Sequence, residues 1–269
     1  MHAIVCIKQV PDTTEVKINP ETNTLIREGV ESIINPLDYV AMQAALELRD
    51  REGGKVSVIT MGPPQSEIAL REALAVGADH AVLLTDPAFA GADTLATSHV
   101  LATAVSRLDP FPDLVMCGMQ TIDSDTGHVG PQLAEELDLP QVSGVNEIRA
   151  QGPALVVRKV SDGFLDTIRV TLPALLIVNR ALCRVKDLPL GALEKAFSEM
   201  DITRWGLKDL GLARGEVGME GSATRVWKLK TPTPRREGET VSGTPGTLVG
   251  HLMRRLEALS ILDEADGND

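Results

Sequence analysis

The chain has 269 residues, 43% hydrophobic and 24% charged, enough to bury one large core or one core with an appendage. A net charge of −12 without a Lys/Arg stripe excludes a track for a phosphate backbone, so nucleic acid is not an expected partner. No run approaches the roughly 18 apolar residues of a membrane span, and the opening MHAIVCIKQV lacks a signal-peptide layout; a cytoplasmic protein without membrane insertion is expected.

In chain order, AIVCIKQV (residues 3–10), KVSVITM (55–61), HAVLLT (80–85) and DLVMCG (113–118) read as buried parallel strands, because their apolar runs are short, continuous and β-branched. Helices are expected between them. Asn35 can cap a helix opening at Pro36, with Val40, Ala41, Ala44, Ala45 and Leu48 inward and Gly53-Gly54 as its stop. A second helix spans 65–76 and stops at Gly77, a third runs from Asp93-Thr94 to Leu108, and a fourth from Asp125-Thr126 to about Leu137. This alternation predicts an α/β fold, a right-handedly wound parallel sheet with helices on both faces.

After Pro140 the pattern changes. Residues 155–160 and 165–172, separated by Ser161-Asp162-Gly163, predict a β-hairpin, and PALLIVN (173–179) a further buried strand. From Arg180 the periodicity weakens, which divides the chain into a domain at 1–180 and an extended arm at 181–269. Within the arm, 231–246 reads as a linker, Leu248, Val249, Leu252, Leu256 and Leu259 as one face of an amphipathic helix, and 263–269 as an acidic tail.

The chemistry-bearing residues are sparse. Cys6, Cys117 and Cys183 form no CxxC pair, the five histidines form no HExxH, and no GxSxG, Walker lysine or GxGxxG occurs. Seven aromatic residues (four Phe, two Trp, one Tyr) are too few to sandwich a ring cofactor, so aliphatic and backbone groups or another chain would hold one. In an open parallel sheet ligands bind beyond the carboxyl ends of the strands, and the stretch after DLVMCG is the most informative. There Gly118 permits close backbone approach, N–H groups around Thr126, Gly127, His128 and Val129 precede a helix, and Thr126 adds a hydroxyl. Asp123 and Asp125 are caps or hydroxyl acceptors, and His128 a cap or surface residue. From the residues alone a phosphate grip and a merely structural capped turn both remain open.

Taken together, IVCIKQVPDT, INPLDYVAMQAALELRD, VITMGPPQSEIALREALAVGADHAVLL and LVMCGMQTIDSDTGHVGPQLAEELDLPQV resemble the electron-transfer flavoprotein beta family, in the family's order and over about the first 180 residues. GADTLATS (91–98), the VPDT ending and GSATRVWKLKTPTP resemble its flavin-bifurcating branch. The resemblance implies a Rossmann-like, adenine-nucleotide-binding fold and an alpha subunit as heterodimer partner. It implies FAD as cofactor in this subunit, the alternative being AMP here and a single FAD mostly on the alpha subunit. Carried over, Cys6 borders the adenine, Asn35, Pro36, Leu37 and Asp38 form one wall, and Met61 another. Gly118, Met119, Gln120, Thr121, Ile122, Asp123, Ser124, Asp125, Thr126, Gly127, His128 and Val129 wrap the phosphates, while Asp12, Thr94 and Thr97 face the flavin.

No catalytic residue and no metal ligand is implied. The bifurcating reading divides electrons from NADH between the alpha-subunit FAD and a low-potential acceptor such as ferredoxin or flavodoxin. The simple-carrier alternative shuttles electrons from an acyl-CoA dehydrogenase, and a reading of another class is an adenine-nucleotide sensor. The chain departs from the family after its last core strand, with Val185-Lys186 at a Pro-Arg position. A partner-recognition loop would fall near Leu190, although Leu188, Leu190 and Leu193 could equally pack on the domain.

Overall fold

The computed structural model describes residues 1–12, 31–184, 188, 190–227, 238 and 240–261; the side chain of residue 190 is outside this set. The chain forms two compact units, Met1–Trp227 and Lys228–Asp269.

The first unit is built on β1 (His2–Cys6), β2 (Gln9–Pro11), β3 (Ser32–Ile34), α1 (Pro36–Glu52), β4 (Lys55–Met61), α2 (Glu67–Val76), β5 (His80–Leu84), α3 (Thr94–Ser106), β6 (Leu114–Gly118) and α4 (Val129–Glu136). It continues through β7 (Gln141–Gln151), β8 (Ala154–Ser161), β9 (Phe164–Thr171), β10 (Ala174–Val178), α5 (Leu190–Ser198), β11 (Thr203–Trp205), α6 (Leu207–Leu210) and α7 (Gly218–Gly221). Nine strands join in the order β11-β5-β4-β1-β6-β10-β7-β8-β9, parallel from β11 to β7 and antiparallel from β7 to β9.

Strand alternation sorts the core into two layers. Ala3, Val5, Leu114, Met116 and Leu176 join the layer under α1 and α2, whereas Ile4, Cys6, Val115, Cys117 and Ile177 join the layer under α3 and α4. Both sheet faces are therefore covered, which explains why the central strands are largely apolar and buried on both sides. Val40, Ala41, Ala44, Ala45 and Leu48 are buried as their spacing requires.

Four elements differ from the sequence expectation. The first apolar run breaks after Cys6, and its end pairs as β2 with β3 in a separate two-stranded antiparallel sheet. Strand β7 adds a third partner to the hairpin of β8 and β9, whose turn uses Asp162 (φ 50) and Gly163 (φ 81) between the paired Ser161 and Phe164. The fourth helix starts at Val129, since positive φ at Asp125 (54) and Gly127 (65) cannot continue a right-handed helix. The compact body also extends past residue 180: Ala196, Ile202, Leu210 and Val217 are buried, and β11 lengthens the sheet beside β5. Leu188 and Leu193 are partly buried against the core beneath α1 and α2.

In the second unit α8 (Pro245–Ala258) is capped by Thr244, whose hydroxyl accepts from Thr247 N. Its apolar stripe, including Val249, Leu252 and Leu259, is exposed. Thr13, Val185-Lys186, half of the expected linker and the acidic tail lie outside the described residues. Among the described residues, no helix is long and apolar enough to cross a membrane.

Candidate functional site

The chain leaves β1, winds outward through β4 and β5, and returns through α3 to β6 on the opposite flank of β1. The loops after β1 and β6 therefore diverge, opening the crevice where doubly wound sheets bind ligands.

Three contacts knit the loops at that crevice. Asp38, buried in the first turn of α1, accepts the Lys8 N–H at 2.9 Å and also the Gly118 N–H, joining the ends of β1 and β6. Burial drives its carboxyl up to about 7, against the hydrogen bonds from Asn35, Lys8 and Gly118 that favour the ionised form. Asn35 is fully buried and does not cap α1 through its side chain; instead its amide donates to Gln120 O (2.9 Å) and accepts from Ile122 N (3.2 Å). Its amide is worth more across the crevice, where it satisfies two backbone groups of a loop without secondary structure. Finally, Lys8 Nζ contacts both carboxylate oxygens of Asp123 (2.8 and 2.7 Å), whose side chain is 4% exposed. Burial pushes Asp123 up, but the Lys8 ammonium and the hydroxyls of Thr121 and Ser124 hold it below the usual carboxylate range.

At Gly118 the close approach is made by the protein itself. A Cβ there would stand 2.3 Å from Asp38 Oδ1 and 2.7 Å from Asp38 N. The start of α1 demands this glycine.

What the knitted loop presents is a row of amides. Among the described residues the N–H groups of Thr126, Gly127 and His128 have no hydrogen-bond partner. Gly127 (φ 65) precedes His128 (φ −95, ψ −24), and such a left–right pair turns successive N–H groups to one side, forming an anion-binding nest. His128 occupies the N-cap of α4 without a side-chain cap bond, so the positive end of the helix is uncovered. The N-terminus of α3 is different: Asp93 Oδ1 accepts from Ala96 N at 2.9 Å and supplies the negative charge itself. A phosphate group therefore fits at α4 and not at α3. Thr126 is exposed beside the nest, and Asp123 is engaged with Lys8.

The remaining residues surround this centre to different degrees. Cys6 and Cys117 are register partners at the ends of β1 and β6; their thiol contact, then burial, pushes the Cys117 thiol up, which suits a packing residue. Pro36 and Leu37 open α1 beside Asn35, and Met61 ends β4, one strand away. Thr94 and Thr97 lie in the first turn of α3, where Ser98 Oγ donates to Thr94 O (2.8 Å) and stands 3.2 Å from Val129 O, joining that turn to the start of α4. Asp12 is exposed, with its N–H on Glu31 O at the end of the small sheet, and is not brought to the nest by any contact. Lys8 opens a loop that qualifies for ligand binding by its place after the first strand, but its partner lies 115 residues away, so no local pattern reveals the pairing. A separate cavity of about 330 Å³, lined by Glu47, Arg51, Glu147, Arg149 and Cys183 among others, lies between α1 and β7, and Glu147 is paired there with Arg149 and Arg158.

Comparison with known proteins gives the same frame. Residues 22–207 match the family described as "Electron transfer flavoprotein domain". An electron transfer flavoprotein subunit beta of Thermoanaerobacterium thermosaccharolyticum is 44% identical over 262 residues, covering 97% of this chain and 100% of the relative. The caffeyl-CoA reductase-Etf complex subunit CarD of Acetobacterium woodii is 43% identical, covering 97% of this chain and 100% of the relative. Protein FixA of Azorhizobium caulinodans is 44% identical, covering 90% and 88% respectively. With a match over most of the sheet-bearing unit and relatives aligned nearly end to end, the chain belongs to the electron-transfer flavoprotein family, among its beta subunits.

Proposed function

We propose that this subunit binds FAD, with the diphosphate in the amide nest of Thr126, Gly127 and His128, and works as a heterodimer with an alpha subunit. In this reading the complex divides electrons from NADH between a high-potential and a low-potential acceptor. The observation that carries it is the uncovered N-terminus of α4 beside three unpartnered N–H groups at the switch point of the sheet. FAD, when bound, supplies the one- and two-electron chemistry, and the protein supplies position and electrostatics. The chain's own part is to hold the dinucleotide through the nest, to fix the nest through Asn35 and Lys8–Asp123, and to line the cleft with Thr94 and Thr97. No acid–base pair is required. GADTLATS, GSATRVWKLKTPTP and the similarity to CarD, whose name places it in a complex with a CoA-ester reductase, support the bifurcating branch and a partner of the acyl-CoA dehydrogenase class.

The second reading is structural AMP in the same nest, which a lone phosphate fits equally well, with electrons shuttled by a single FAD on the alpha subunit. Co-expression with an alpha subunit, followed by extraction and counting of nucleotides, separates the two. Two FAD with little AMP supports the bifurcating reading, one FAD with one AMP rejects it, and no nucleotide rejects both. Thr126→Glu, which sets a carboxylate beside the nest, is expected to empty it.

A further inference from the structure

The chain leaves its first unit along a strap that ends in a clasp. Val217 is buried, and Gly218 (φ 57) lies so close to the α3 approach that a Cβ would stand 1.9 Å from Ala88 O. Met219 N then donates to Ala90 O (3.1 Å), and the Met219 side chain fills the space beside Gly91. Ser222 Oγ accepts from Asp93 N (2.8 Å), while Asp93 Oδ2 accepts from both Thr224 N (2.8 Å) and Thr224 Oγ1 (2.9 Å). Beyond Thr224 the fastening stops: Val226 is 69% and Trp227 94% exposed, and the second unit begins at Lys228.

One carboxylate thus holds two things. Oδ1 of Asp93 caps α3 and Oδ2 grips the strap, so the first turn of α3 and the exit point of the chain cannot shift independently. The same turn meets the nucleotide loop through Ser98 and Val129. We propose that Asp93 is a positioning residue that couples occupancy of the α4 nest to the fastening of the strap at Ser222 and Thr224, and so to the point from which the second unit is tethered. A group gripped at Gly127 and His128 steadies the start of α4, hence Ser98 and the α3 turn, and tightens the clasp. Because binding couplings are reciprocal, a broken clasp weakens nucleotide retention. This inference rests on the nucleotide reading of the nest.

The test is trypsin cleavage after Arg225, the first basic residue past the clasp, in the full chain co-purified with its alpha subunit. Cleavage of a fastened segment tracks its open population. Thr224→Val removes the side-chain bond and is expected to speed cleavage about fivefold, the effect of one lost hydrogen bond. Thr224→Ser restores the wild-type rate. Added FAD slows cleavage in wild type but not in Thr224→Val, and Thr224→Val loses FAD faster on gel filtration. Equal cleavage in wild type and Thr224→Val overturns the clasp. Wild type that retains FAD, yet is cleaved at the same rate with and without it, overturns the coupling alone. Wild type that takes up no nucleotide sinks the reading of the nest and the coupling with it, while the comparison between Thr224 variants still decides whether the strap is clasped.

Discussion

Asp38 occupies the space that a side chain on Gly118 would need, so the start of α1 and the end of β6 meet with no atom to spare. Gly118→Ala is expected to force the two apart, costing about 1–3 kcal/mol and lowering the midpoint of denaturant unfolding. Gly191→Ala, where nothing lies within 4 Å, serves as control and should leave the midpoint unchanged or raised.

The charge on Asp38 gives a second expectation. Its folded pKa of about 7 lies above the ordinary 3.8, so the folded state binds the proton more tightly than the unfolded chain. The cost of ionising it in the fold is complete above about pH 7 and is relieved as pH falls toward 4. Asp38→Asn removes this dependence while keeping an acceptor for Lys8 N. Relative to wild type, the variant should gain on the order of a few kcal/mol at pH 8 and lose roughly half or more of that advantage at pH 5, measured by urea unfolding at both values. Parallel pH profiles for the two proteins would refute the assignment.

Asn35→Ala strips two backbone groups of the loop after β6, Gln120 O and Ile122 N, of their buried partner at once. A loss of about 2 kcal/mol in stability is expected, with nucleotide retention reduced about tenfold or more. Asn35→Asp keeps the bond from Ile122 N but turns a carboxylate toward Gln120 O, and should not rescue retention. Dilution followed by absorbance of the retained flavin reads the effect.

Lys8 and Asp123 form a pair with one half-exposed and one buried member. Lys8→Met leaves the buried carboxylate without its cation and should weaken the loop by about 1–3 kcal/mol, whereas Lys8→Met with Asp123→Asn recovers most of that loss. Because the Asp123 pKa is depressed, its contribution is complete above the ordinary carboxylate range and is lost as pH falls through the lower folded value. Acid should therefore loosen the wild-type loop and spare the double variant. A thermodynamic cycle with no coupling would show that the pair is incidental.

The parts of the fold visible in the sequence are those with local causes. Continuous apolar runs announce β4, β5, β6 and β10, while Pro36 and the glycines at 53–54 and 77 bracket α1 and end α2. Strand β7 is harder to see, because Gly144 (φ 73) and a bulge between Val145 and Glu147 break its alternation. Strand β11 consists of Thr203, Arg204 and Trp205 and owes its existence to the edge of β5. The same division holds at the site. The order of strand, loop and helix marks residues 118–129, but what shapes that loop comes from 85 to 115 residues away, from Asn35 and Lys8. Periodicity carries no information at such separations, and Asn35 accordingly reads as a helix cap when its amide is committed elsewhere.

The pairing of Lys8 with Asp123 has a kinetic corollary. With that ammonium neutralised from within, residues 118–129 offer a phosphate no Lys or Arg, only oriented amides and the Thr126 hydroxyl, whose pull fades over a few ångströms, on a chain whose net charge of −12 repels anions at long range. Under the proposed function, entry is therefore unsteered and departure requires breaking several short contacts together. Such a berth suits a tenant installed once, during assembly, rather than a messenger sampled from solution as its concentration rises and falls.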